Sequence, residues 1–181
     1  MPHLKNDAHT IDDIYALPDG QRAELIDGVI YAMTPPNRLH QKLVGELCFS
    51  LQNYIKSNSG NCDVYPAPFA VFLTADDNTY LEPDISVVCD KNKLTDKGCN
   101  GAPDFIIEIV SPSSRKMDYS TKMTLYANSG VREYWIIDPV KERTTTYKFE
   151  EDAAPSVIPF TQPVEVGIYS NLSITISELL E

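Results

Sequence analysis

The chain has 181 residues, 43% of them hydrophobic, and a formal net charge of −11. That is enough apolar material for a sizeable core in a single domain, and it excludes a disordered chain. No apolar run approaches the roughly 20 residues of a membrane span, and the acidic balance disfavours tight, non-specific attachment to nucleic-acid phosphates.

The first residues, Met1-Pro2-His3-Leu4-Lys5-Asn6-Asp7, lack the apolar stretch of an export signal, so a cytoplasmic protein is expected. Cys48, Cys62, Cys89 and Cys99 are scattered with no Cys-x-x-Cys pair. They read as reduced, mostly buried thiols and not as a zinc site or a disulfide framework. Residues 1–9 read as a flexible tail carrying His3 and His9. Thr10-Ile11-Asp12-Asp13 starts a short helix, with Thr10 as its N-cap and acids in its first turn. Arg22 to Met33 reads as a hairpin about the type I′ turn signal Asp27-Gly28. Glu24 shares a strand face with Ile26, which fits a solvated edge residue as well as a third carboxylate at a site.

Asn37 to Lys56 has the spacing of an amphipathic helix, with Leu39, Leu43, Val44, Leu47, Leu51, Tyr54 and Ile55 on its apolar stripe. His40 falls within that stripe, where a histidine more often serves packing than chemistry. Asp63 to Thr74 reads as a strand interrupted by Pro66 and Pro68, hence an edge or a bulge. Asp84 to Cys89 and Asp104 to Val110 read as core strands, and the polar segment from Asp90 to Gly101 as a surface excursion between them. Ser111-Pro112-Ser113-Ser114 breaks the second strand, with Ser113 as the capping residue of a helix from Lys116 to Asn128 that ends at Gly130. Val131 to Asp138 and Arg143 to Phe149 form a hairpin, Asp138 ending its strand. Glu150 to Pro163 reads as a loop, and Leu172, Ile174 and Ile176 as a last short strand.

Two of these strands carry one acid each, Asp84 and Glu108. Period-two alternation puts Glu108 on the face of Ile106 and Val110, where an unpaired carboxylate is expensive. Two acids on consecutive strands suggest a site for a hard divalent cation, Mg²⁺ or Mn²⁺, with the backbone carbonyl of Ile109 as a further ligand. Such a cation activates water and stabilises charge on a phosphoryl oxygen. Asp118, Lys122 and Tyr126 follow at intervals of four. As a surface feature, an Asp-Lys pair contributes only about 0.3–0.5 kcal/mol.

Pro83-Asp84 followed by Glu108-Ile109-Val110 resembles the PD-(D/E)xK motif of the restriction-endonuclease-like nucleases. The motif's lysine stands two residues after the acid, where this chain has Val110. Some members of that superfamily carry the lysine on the following helix, and Lys122 is placed for that. A longer pattern resembles the Uma-two family and covers the chain from about residue 10 to its last strand. It comprises Glu24-Leu25-Ile26-Asp27-Gly28, His40, Pro83-Asp84-Ile85-Ser86-Val87, Glu108-Ile109-Val110-Ser111-Pro112-Ser113, Asp118, Lys122, Tyr126 and Gly130-Val131-Arg132-Glu133-Tyr134-Trp135-Ile136-Ile137-Asp138-Pro139. Members are assigned as Mg²⁺-dependent endonucleases by fold and motif. The resemblance implies an α/β fold with a mixed central sheet and a helix on either side. It also implies phosphodiester hydrolysis of nucleic acid, with DNA as the expected substrate.

On this reading Asp84, Glu108 and Lys122 are catalytic, with Asp84, Glu108 and the Ile109 carbonyl on the metal. Glu24, His40 and Asp118 support them: Glu24 completes the acidic cluster, His40 borders it, and Asp118 holds Lys122. Lys122→Ala is then expected to lower the cleavage rate by orders of magnitude and to leave the fold and Mg²⁺ binding nearly intact. A homodimer would suit cutting of both strands. The rival reading is an inactive nuclease-like binding or regulatory module, favoured by Val110 and by the acidic charge. Serine hydrolysis is disfavoured by the lack of a Gly-x-Ser-x-Gly elbow.

Overall fold

A computed structural model describes residues 8–151 and 153–181. The first helix, α1 (Ile11–Tyr15), starts where Asp13 turns back to accept the Thr10 N–H at 2.9 Å. His9 was expected in a loose tail. Its N–H instead donates to the Gly28 carbonyl at 2.9 Å, which ties the chain to the hairpin just beyond. His3 lies outside the described residues.

That hairpin consists of β1 (Ala23–Ile26) and β2 (Val29–Ala32), paired antiparallel. Asp27 and Gly28 have φ values of 50° and 75°, the two left-handed positions that a type I′ turn requires. Helix α2 (Arg38–Ser57) begins at Asn37, whose side chain accepts the His40 N–H at 2.9 Å. Its Leu43, Leu47 and Leu51 are fully buried, whereas Leu39, at the helix start, is 39% exposed. Strands β3 (Asp63–Pro66), β4 (Val71–Phe72), β5 (Ile85–Val88), β6 (Leu94–Thr95), β7 (Gly98–Asn100) and β8 (Phe105–Ile109) follow. A π-helical stretch, Met117–Lys122, leads into α3 (Met123–Ser129), which ends at Gly130 with φ 94°. The remaining strands are β9 (Glu133–Asp138), β10 (Arg143–Lys148), β11 (Ser156–Pro159), β12 (Pro163–Glu165) and β13 (Ser173–Thr175), before a 3₁₀ turn at Ile176–Leu180.

Six strands form the central mixed sheet in the order β11-β10-β9-β8-β5-β3. Only β8 and β9 run parallel; the other pairs are antiparallel. The connection between those parallel strands is the π-helical stretch and α3, the crossover a parallel pair demands. One face of the sheet, with Ile85, Val87, Phe105, Ile107 and Ile109, packs on the leucine stripe of α2. The other, with Val88, Ile106, Val110, Tyr134 and Ile136, packs on Tyr126 of α3 and on Ile26 of β1. Phe105, Ile107 and Ile109 thus part from Ile106 and Val110 as period-two alternation requires, and β8 is buried on both faces.

Several expectations need correction. The segment between β5 and β8 is no surface excursion: β7 pairs with both β4 and β6, and Cys99 is fully buried in the core. Its polar composition hid a two- to three-residue pairing too short to alternate. Cys62 and Cys89 are joined in a disulfide, because the β3–β5 register brings the residues just outside Asp63 and Val88 face to face. Cys48 and Cys99 are buried free thiols, and burial pushes the thiol of each up to about 11. The acid- and proline-rich loop after β10 contains β11, an edge strand of the main sheet.

Gly98 shows how tightly the small sheet is closed. It has φ 143°, and a Cβ there would lie 2.2 Å from the Ala70 carbonyl oxygen. Gly98→Ala is therefore expected to lower stability by about 3 kcal/mol, from backbone strain and the forced separation of β7 from β4. Urea denaturation measures this, and an unchanged midpoint would contradict the close approach.

Candidate active site

The sheet delivers two acids to one place. Asp84 immediately precedes β5, and Glu108 is the penultimate residue of β8, its antiparallel neighbour. The Asp84 N–H points at Glu108 Oε2, 3.4 Å away. The Asp84 carboxylate turns back over β8 and accepts the Ile109 N–H at 2.7 Å. Ile109 therefore meets Asp84 through its amide nitrogen. His40, in the first turn of α2, lies against the same carboxylate, Nε2 to Oδ2 at 3.0 Å. Cap geometry explains this: Asn37 starts the helix so that the His40 ring leaves the leucine stripe and reaches the sheet end.

Lys122 closes the site from the other face. Its Nζ lies 2.9 Å from Glu108 Oε1 and 2.8 Å from Glu24 Oε2, with only 5% of the side chain exposed. Asp118 Oδ1 is farther away, at 3.9 Å. An uninterrupted α-helix was expected over these residues, with Asp118 as the partner of Lys122. In the π-helical turn the two do not stack as an α-helical pair would, and the ammonium reaches past Asp118 to the strand acids. Glu24 settles its ambiguity as a buried member of the cluster: its Oε1 accepts the Glu82 N–H at 3.0 Å while Oε2 takes Lys122. Asp84, Glu108, Lys122, Glu24, His40 and Asp118 therefore all adjoin one centre.

Other participants were missed. Tyr126 donates to Glu108 Oε1 at 2.9 Å, although its interval-of-four spacing with Asp118 and Lys122 had already put it on their face. Arg22 donates to Glu82 Oε2 through Nε at 2.7 Å, and Tyr80 to Glu82 Oε1 at 2.7 Å, which holds the strand opposite Glu24. No local sequence signal ties Arg22 to a residue sixty positions away. The turn into the π-helical stretch is held by Ser111 and Ser114, each accepting the other's N–H on its hydroxyl, at 3.1 and 3.0 Å; Ser113 is not the capping residue. Asp138 does end its strand, and it also takes Arg115 through Nη2 at 3.0 Å.

The electrostatics follow from burial. Burial drives the Glu108 carboxyl well above the usual range; Lys122 opposes that, and Asp84, Asp118 and Glu24 add to it. Burial likewise pushes Asp118 up to about 6 despite Lys122. Burial disfavours the Lys122 cation, but Glu108, Glu24 and Asp118 outweigh it and hold it protonated well above its ordinary range. The cluster carries more negative charge than one ammonium can offset. Among the described residues, no three His, Cys, Asp or Glu side chains form a ready-made metal cage. Mg²⁺ does not need one, since it takes one or two carboxylates and keeps several waters. Hard oxygen donors at Asp84 and Glu108, and surplus negative charge beside them, fit that chemistry.

These residues line a cleft of about 690 Å³ between α2, β2 and the β9–β10 turn. The family profile described as "Uma2: Putative restriction endonuclease" matches residues 11–176, and the chain belongs to that family. The fold is also that of a crystal structure described as a "putative nuclease belonging to DUF820" from Anabaena variabilis ATCC 29413. The two are 22% identical with a TM-score of 0.76, over 94% of this chain and 96% of that one. An uncharacterized protein, slr1290, from Synechocystis sp. (strain ATCC 27184 / PCC 6803 / Kazusa) is 26% identical over 133 residues, 73% of this chain and 68% of its own. No helix among the described residues is long and apolar enough to cross a membrane.

Two consequences are measurable. Lys122 bridges buried acids, so the earlier expectation that Lys122→Ala spares the fold gives way: the variant should lose about 3–5 kcal/mol in denaturant titrations. Asp118 has a raised carboxyl, so the folded state keeps its proton where the unfolded chain has lost it. Its contribution is fully present below the ordinary value of 3.8 and is lost as pH rises to about 6. Asp118→Asn should therefore gain stability relative to the parent between pH 4 and 7, on the order of 2–3 kcal/mol. A pH-independent difference would contradict the buried acid.

Proposed function

We propose that this protein is a metal-dependent nuclease that hydrolyses phosphodiester bonds in nucleic acid, with DNA as substrate. The observation that carries this reading is the convergence of Asp84 and Glu108 at adjacent strand ends, with Lys122 bonded to Glu108 from the helix that follows. Family membership supports the nuclease class; the cation and the substrate are our assignment.

Asp84 and Glu108 would hold Mg²⁺ or Mn²⁺, which when bound supplies Lewis acidity and a water of lowered pKa. The chain's own residues do the rest. His40 and the Ile109 amide fix the Asp84 carboxylate in one rotamer. Tyr126 and Lys122 fix Glu108 in the same way. Lys122 sets a permanent positive charge behind the acids, where charge grows on the phosphoryl oxygens during attack. In the hydrolysis, water oxygen bonds to phosphorus and sheds a proton to solvent, the bridging P–O bond breaks, and the departing oxygen takes up a proton from solvent.

A specific observation favours the rival, an inactive nuclease-like binding module. Lys122 is committed to two buried carboxylates, and Val110 occupies the position where the motif carries its lysine. Incubating the protein with DNA and Mg²⁺ or Mn²⁺ decides between them. The nuclease should cleave, lose activity in EDTA, and lose about a hundredfold or more of its rate in Asp84→Ala or Glu108→Ala. Asp84→Ala should also abolish any rise in melting temperature caused by the metal. A protein that cleaves no nucleic acid with either cation is the inactive module.

A further inference from the structure

The cleft that holds the acids is also lined by exposed apolar side chains. Tyr31 of β2, Pro35 and Pro36 of the β2–α2 connection, Leu39 at the start of α2 and Val140 of the β9–β10 turn all line it and are all exposed. Tyr31 is 38%, Leu39 39% and Val140 71% exposed. Exposed apolar groups gathered in a cleft with charged groups mark a binding surface rather than leftover core. Among the described residues, Arg22 and Lys122 are the only Lys or Arg side chains lining the cleft, and each is already paired, with Glu82 and with Glu24 and Glu108. Arg22 keeps 37% of its side chain exposed, enough to meet one phosphate.

We propose that the cleft takes an unpaired nucleic-acid strand, its bases lying against the exposed apolar side chains Tyr31, Pro35, Pro36, Leu39 and Val140. This rests on the phosphodiesterase reading and narrows its substrate. Duplex binding draws on many phosphate contacts from lysine and arginine, which this cleft does not offer, and the chain's net charge of −11 opposes a polyanion approaching broadly. An unpaired strand presents base faces, which stack on aromatic and apolar side chains without regard to sequence, and only one phosphate track. In a duplex those faces are already covered by neighbouring bases. These side chains line the same cleft as His40 and Asp84, so a strand held by them carries its backbone past the acids.

Binding is followed by fluorescence anisotropy of a short labelled DNA strand and of the same strand annealed to its complement, with EDTA present, and cleavage is assayed separately with Mn²⁺. The single strand should bind at least about tenfold tighter than the duplex, and its affinity should fall less than about tenfold from about 50 to 200 mM salt, as expected for one or two phosphate contacts. Tyr31→Ala should weaken single-strand binding about tenfold, and Tyr31→Phe should retain it. Duplex bound as tightly as single strand overturns the proposal, as does binding of neither, or loss of binding in Tyr31→Phe equal to that in Tyr31→Ala. Single-strand binding without cleavage supports the binding surface and sinks the hydrolysis reading instead. Cleavage with duplex preference does the reverse.

Discussion

Lys122 Nζ stands 2.8 Å from Glu24 and 2.9 Å from Glu108, with Asp118 at 3.9 Å and almost no solvent contact. Burying an ammonium or a carboxylate alone is prohibitive, so each of these residues depends on the others. The contact joins three pieces that are distant in the chain: the β1–β2 hairpin, the central sheet through β8, and the crossover between β8 and β9. Hydrophobic burial brings these pieces together without fixing how they slide. The ammonium does fix it, because its hydrogen-bonding geometry admits few positions for two carboxylates.

The π-helical turn belongs to the same constraint. In an α-helix, Asp118 and Lys122 would stand one above the other and satisfy each other on the helix surface. In the widened turn that contact is only a long ion pair at 3.9 Å, and Asp118 Oδ1 is buried without a hydrogen-bond partner. It is the local cost of sending Lys122 to the strand acids. Tyr134 supports the arrangement by donating its hydroxyl to the Asp118 carbonyl at 3.1 Å, a backbone group that a wider turn leaves available.

What the sequence reveals divides along the range of the interactions. Asp27-Gly28, the leucine stripe of α2 and the alternation about Glu108 are local patterns, and each specifies its element and its buried face directly. The separation of Ile106 and Val110 from Phe105, Ile107 and Ile109 needs nothing but period two. By contrast, the Cys62–Cys89 bond depends on the β3–β5 register, and β7 depends on a close approach to Ala70 that only Gly98 permits. The partners of Glu24 could not be read from its own strand, where an edge residue and a buried acid look the same. The deciding lysine lies on another element, and its reach depends on a helical irregularity that no propensity signals. His40 was obscured for the opposite reason: helical spacing placed it correctly on α2 but could not show that the first turn overhangs the end of the sheet.

Val110 bears on why the buried ammonium comes from the helix. It occupies the face that Glu108 and Ile106 share, but it is 5% exposed and packs in the core that includes Tyr126, Tyr134 and Ile136. A lysine there would place its stem in this aromatic layer and its ammonium beneath Glu108, in competition with Tyr126, which donates to the same oxygen. The chain fills that space with a β-branched apolar residue, which suits a strand buried on both faces. The positive charge then arrives from the crossover, bringing Glu24 into the cluster as its second anchor. A cation anchored by two acids is a firmer electrostatic fixture than one anchored by a single acid, and it is also less free to move during a reaction. The same double anchoring thus underlies both the nuclease reading and the inactive rival. The two differ only in whether Lys122 must move: a charge that acts by standing still behind the acids loses nothing by being held.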